Sequence, residues 1–230
     1  NVDLLLGAVT QNTKIVFLAN PNNPTGTMID KQEVHRLHAG LREDILLVLD
    51  GAYAEYVDPE KYEDGFALVD AASNVVTTRT FSKVHGLAAL RLGWAYGAPD
   101  IVEVLNRLRG PFNVNTPAML AGIASVKDDA HIAKAVAHNA KWRAWLSARI
   151  EACGFETVPS EANFILVNFD PESPVGAETA DDALCQAGLI ARRVEGYGLP
   201  NSLRISIGTQ QAMEKVATVF ESLQTRLGVR

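Results

Sequence analysis

The chain is 230 residues long, 47% apolar and 21% charged, which suffices for a sizeable core and excludes an intrinsically disordered segment. Its 21 Lys and Arg against 27 Asp and Glu leave a net charge of −6, the wrong sign for a nucleic-acid binder. Apolar runs such as residues 45–49 stop far short of the roughly 20 residues a membrane helix needs, and the two scattered cysteines, Cys153 and Cys185, read as free thiols of a reducing cytoplasm. No signal peptide is expected from its opening residues. It starts on Asn1 rather than Met, with a strand-like run almost at once, and is expected to be a fragment of something longer.

In chain order, residues 14–20 predict a continuous apolar strand that ends in a Pro/Asn/Gly turn. Residues 30–41 place Val34, Leu37 and Leu41 at helical spacing behind Asp30, a good N-cap. Residues 45–50, 74–81 and 92–97 predict three further strands, and 99–110 a helix. Strands without polar alternation, separated by helices, predict an α/β fold with a mostly parallel sheet covered on both faces. Residues 116–153 then read as one long helix, with Trp142, Trp145 and Ile150 as core residues near its end and Gly154 as its stop. Beyond it come a strand at 163–169, a helix at 177–187, strands at 189–194 and 203–207, and a closing amphipathic helix over 211–227. The expected organisation is a large domain over 1–117 and a small α+β domain over 118–230, entered through the long helix.

Three polar segments fall at the carboxyl ends of consecutive strands: ANPNNPTG (19–26), LDGAY (49–53) and TRTFSK (78–83). Ligands of open α/β sheets bind beyond the strand carboxyl ends. Taken singly, each segment has an ordinary alternative as a turn, a solvated lysine or a surface ion pair. Together they assemble a distinct chemistry. Lys83 is an amine able to capture a carbonyl as a Schiff base. Asp50 closes an apolar strand, so its carboxylate is expected to be partly buried and in need of a cationic partner. Tyr53 offers a phenol and Asn23 an amide. Thr80, Ser82 and Arg91 supply two hydroxyls and a guanidinium suited to a phosphate. An amine, a carboxylate, a phenol and a phosphate clamp are what pyridoxal 5′-phosphate (PLP) requires of a protein. His85 follows this lysine closely, and packing is its simpler role.

NPNNPTG, DGAYAEY, RTFSKVHGLAALRLGW and YGLPNSLRISIGT, in that order, resemble the fold-type I PLP-dependent aminotransferases of class I/II, and within them the histidinol-phosphate branch. The resemblance implies that Lys83 holds PLP covalently and shuttles a proton between substrate and cofactor. It implies that Asp50 pairs with the pyridine nitrogen and that Tyr53 and Asn23 hydrogen-bond the 3′-oxygen. Thr80, Ser82 and Arg91 would bind the cofactor phosphate. Arg204 would anchor the substrate anion and Arg192 would lie near a substrate phosphate. Arg192 and Arg193 are adjacent, so on a strand only one of them can enter the pocket. It further implies a cis peptide bond at Asn23–Pro24, a cytoplasmic homodimer, and small-molecule substrates, histidinol phosphate and glutamate. Against that family the chain corresponds to roughly the last two-thirds. The backbone cradle for the phosphate, the ring-stacking aromatic and the N-terminal arm are expected before Asn1. Competing readings are an aromatic or broad-specificity aminotransferase, a decarboxylase of phosphorylated amino acids, an aminotransferase-like sensing domain, and a non-catalytic fragment.

Overall fold

The computed structural model describes residues 1–225, and packing separates the chain into two units. The first comprises Asn1–Pro21 and Met28–Ala135; the second comprises Asn22–Thr27 and the chain from Val136 onward. The division expected after residue 117 thus falls at a helix start, while packing carries the first unit on through Ala135.

The first unit holds strands β1 (Ile15–Ala19), β2 (Leu46–Asp50), β3 (Val75–Thr80) and β4 (Gly93–Gly97) in the order β1-β2-β3-β4. The first three are parallel and β4 runs antiparallel to β3. Its helices are α1 (Val2–Gly7), α2 (Lys31–Gly40), α3 (Phe66–Ala71), α4 (Pro99–Leu108) and α5 (Thr116–Ser125). Asp30 caps α2 as expected, its carboxylate accepting from the Glu33 amide at 2.9 Å. Helices α1, α2 and α3 bury Val2, Val34, Leu37, Leu68 and Val69 against Leu47, Leu49 and Val75. Strand β1 departs from expectation. It lies at the edge of the described sheet, with Phe17 70% exposed, so its continuous apolar run does not mean burial on both faces here.

The single helix expected over 116–153 is two, α5 and α6 (Asp129–Ala152). Asp128 makes the break: its side chain accepts from the His131 amide at 3.0 Å, the bond of an N-cap, so the chain restarts rather than continues. Apolar spacing alone does not report such a break. Helix α6 then runs to Ala152, and Gly154 follows at φ +88°, the left-handed stop expected of it.

In the second unit, β5 (Glu156–Val158), β6 (Phe164–Asn168), β7 (Arg192–Arg193) and β8 (Ser202–Ser206) form an antiparallel sheet in the order β5-β6-β8-β7. Helices α6, α7 (Ala177–Gln186) and α8 (Gln210–Gln224) pack on it around Trp142, Leu146, Ile150, Phe155 and Phe220. Trp145 joins Trp142 at the rim, ring centroids 5.1 Å apart, so both are core residues as expected. Residues 226 and 227 of the expected closing helix lie outside the described residues. Asn23–Pro24 is cis, as the resemblance implied, and Asn20–Pro21 is cis as well. Among the described residues no helix is long and apolar enough to cross a membrane.

Candidate active site

The parallel strands end side by side, which brings six of the expected residues into one region of the first unit. Asp50 is the last residue of β2 and Tyr53 follows a turn later; Thr80 ends β3, and Ser82 and Lys83 lie just beyond it. A cavity of about 430 Å³ is lined by Asp50, Thr80, Ser82, Lys83 and Arg91, a size that suits a small cofactor. Tyr53 is 4% exposed, and Lys83 Nζ lies 5.1 Å from the centre of its ring, a cation–π contact. Thr80 Oγ1 accepts from the Ser82 amide at 3.0 Å. Arg91 sits at φ +53°, a left-handed conformation unusual for a residue with a side chain. Its guanidinium donates to Ala88 O at 2.6 Å and reaches Ser82 Oγ at 3.3 Å.

Asp50 does not match its sequence-based expectation. It is exposed, accepts only the Ala52 amide at 3.1 Å, and has no ion pair among the described residues. It is the last residue of β2, where the buried apolar run of that strand ends.

Arg79 belongs to this region and was not anticipated. It is 8% exposed, and its guanidinium donates to Thr77 Oγ1 at 2.8 Å, Thr78 O at 3.0 Å and Asp64 O at 2.8 Å. Its head occupies the place a Cβ on Gly51 would take, so it underlies the turn that carries Asp50 and Tyr53. The signal was present, since an arginine inside a buried strand needs a dedicated set of acceptors.

Asn23, Arg192 and Arg204 belong to the second unit. The 22–27 segment is a tight turn, with Asn22 N–H bonding Thr27 O at 2.8 Å and Gly26 N–H bonding Asn22 O at 2.7 Å. Gly26 adopts φ +77° and its carbonyl accepts from the Glu161 amide at 2.8 Å; a side chain there would run into Ser160. This turn presents Asn23, whose side-chain oxygen accepts from Arg204 Nη1. The Arg204 guanidinium also lies 4.9 Å from the Phe164 ring centre, and its Nε is buried without a hydrogen-bond partner. Arg192 stands directly opposite Arg204 in the β7–β8 ladder, so the two share a face. Arg193 points to the other face and pairs with Glu195 at 3.1 Å and Glu178 at 3.7 Å. Of the adjacent arginines, Arg192 is the one that shares a face with Arg204. His85 packs, its ring centroid 4.7 Å from that of Phe81.

A mostly parallel sheet with a lysine, a carboxylate, a tyrosine and an arginine at its strand ends defines a class, and the sequence agrees. The pattern of the family "Aminotransferase class I and II" matches residues 1–220, and the chain belongs to that family. It is 53% identical over 216 residues to the histidinol-phosphate aminotransferase of Rhodospirillum rubrum, covering 94% of this chain and 58% of that protein. It is 50% identical over 212 residues to the histidinol-phosphate aminotransferase of Rhodopseudomonas palustris, covering 92% of this chain and 58% of that one. The crystal structure of histidinol-phosphate aminotransferase from Sinorhizobium meliloti in complex with pyridoxal-5′-phosphate matches with a TM-score of 0.89 at 28% identity, over 98% of this chain and 61% of the other. The chain thus spans less than two-thirds of the length of these relatives.

Proposed function

We propose that the protein is a PLP-dependent transaminase that exchanges an amino group between histidinol phosphate and 2-oxoglutarate, within histidine biosynthesis, as a cytoplasmic homodimer. The fit to PLP rests on the cavity itself: an amine, a carboxylate, two hydroxyls and a guanidinium line about 430 Å³, and Asp50 and Arg91 have no ion-pair partner among the described residues. When bound, PLP supplies an electron-withdrawing ring that stabilises negative charge at the substrate Cα.

The chain's own residues carry the rest. Lys83 would hold the cofactor through Nζ and, when that amine is free, would carry the proton at the substrate Cα. Asp50 accepts the pyridine N–H and so keeps that nitrogen protonated. The Tyr53 hydroxyl and the Asn23 amide donate to the 3′-oxygen. Thr80, Ser82 and Arg91 hold the cofactor phosphate. Arg204 takes the substrate anion, with Arg192 beside it for a phosphate dianion. The homodimer is supported by the family resemblance and by apolar residues that α5 leaves exposed, Leu120 and Ile123 among them.

The observation that carries the choice of substrate is the unneutralised pair Arg192 and Arg204 on one face. Like charges directly opposite on a ladder destabilise the sheet, and a phosphate or carboxylate between them relieves the repulsion. Turnover of histidinol phosphate and of phenylalanine, each with 2-oxoglutarate, tests the reading. A clear preference for histidinol phosphate supports it; a preference for phenylalanine transfers the assignment to an aromatic aminotransferase.

A further inference from the structure

Two histidines next to Lys83 have no task in the reading above. His131, in the first turn of α6, places Nε2 3.1 Å from Val84 O. Val84 follows Lys83 and is 2% exposed, so few waters can replace that donor if it is lost. His85 places Nδ1 2.8 Å from Ser125 Oγ at the end of α5, and burial together with the nearby His131 charge lowers its pKa, which favours the neutral ring. Main-chain bonds complete the loop, from Leu87 N–H to Phe81 O at 2.8 Å and from Gly86 N–H to Lys83 O at 2.9 Å, with Gly86 at φ +70°. The Lys83 side chain has four rotatable bonds, so only its main chain can be oriented in advance.

We propose that His131 is a positioning residue for Lys83: its Nε2–H donates to the Val84 carbonyl and sets the direction from which the Lys83 amine is presented, while the His85–Ser125 bond secures the next residue. The inference rests on the assignment of Lys83 as the cofactor-holding amine. A bond on the C-terminal side of a reactive lysine acts on the amine through the main chain, without touching substrate or cofactor. Glutamine in place of His131 carries a donor at comparable reach; leucine carries none.

The test uses protein expressed from the complete gene, as wild type, His131→Leu, His131→Gln and Lys83→Ala. PLP is titrated by its absorbance, and the fraction fixed to the chain by borohydride is read from intact mass. Wild type is expected to fix PLP and Lys83→Ala to fix none. His131→Leu should need roughly 2- to 10-fold more PLP for half-saturation, the change that one lost hydrogen bond produces, and should fix a smaller fraction. His131→Gln should restore both readings, even where its melting temperature matches that of His131→Leu. The inference is overturned if His131→Leu titrates and fixes PLP as wild type does, or if the Gln variant fails to rescue. If wild type itself fixes no PLP, the Lys83 assignment falls and this inference with it.

Discussion

Arg192 and Arg204 face each other across the β7–β8 ladder, with nothing acidic paired to either among the described residues. Residues opposed in this way have Cβ atoms about 5 Å apart, close enough for two guanidiniums to fork onto one anion. If the proposed function holds, Arg204→Ala should impair both half-reactions, because glutamate and histidinol phosphate would each present an anion to it. Removing a charge-assisted contact of this kind costs about 2–5 kcal/mol, or roughly 30-fold and upward in kcat/KM. Arg192→Ala should depress kcat/KM for histidinol phosphate more than for glutamate. Single-turnover measurement of each half-reaction separates the two; equal losses in both would remove Arg192 from the phosphate.

Asp50→Ala should be far more damaging than Asp50→Glu. In the proposed role its carboxylate would act on the pyridine nitrogen throughout the reaction, and removing one such electrostatic partner costs about 10²-fold or more in kcat. The exposed position of Asp50 means that the alanine variant should still fold, so circular dichroism should match wild type while turnover collapses. Near-normal turnover of Asp50→Ala would refute the role.

Glu55 links pH to stability. Burial raises its pKa above the ordinary 4.5, only partly offset by a hydrogen bond from its own main chain and then by the Arg79 charge, and Oε2 has no hydrogen-bond partner. A carboxyl whose pKa is higher folded than unfolded opposes folding once it ionises. The cost is absent below about pH 4 and develops as pH rises through the unfolded and then the folded value. Glu55→Gln should therefore melt at a higher temperature than wild type at pH 7, with the difference closing toward pH 4. Thermal unfolding across that range is the check, and a pH-independent difference would contradict the assignment.

Two phenylalanines give a contrast in burial. Phe220 is fully buried, its ring centroid 5.2 Å from that of Phe155 and 6.4 Å from that of Phe169. Phe220→Ala should cost about 3–5 kcal/mol through lost transfer energy and the cavity left behind. Phe112 is 96% exposed, and Phe112→Ala should stay within about 0.5 kcal/mol. Urea unfolding of both variants reads the difference; comparable losses would place Phe112 in a contact absent from this structure.

How much could be read from residues alone follows the range of the interactions involved. The strands β2, β3 and β4, the helix behind Asp30 and the stop at Gly154 were legible because each is written in a local pattern, an apolar run or a cap within a few positions. The candidate residues Asp50, Tyr53 and Lys83 were legible because short motifs carry them to the ends of consecutive strands, and Arg91 because it follows the lysine in the same motif. The exposed edge of β1, the break at Asp128 and the open setting of Asp50 were not. Each depends on what does or does not pack against the segment.

The sequence by itself determined the α/β character of the chain and the chemical inventory at the strand ends, since spacing and residue type are properties of a short stretch of chain. Only the tertiary structure decided that Arg192, not Arg193, shares the face of Arg204, because a one-residue shift in ladder register reverses every side chain. It alone placed Arg79 under Gly51 and His131 at Val84, contacts made across 28 and 47 positions of sequence that no local pattern can specify.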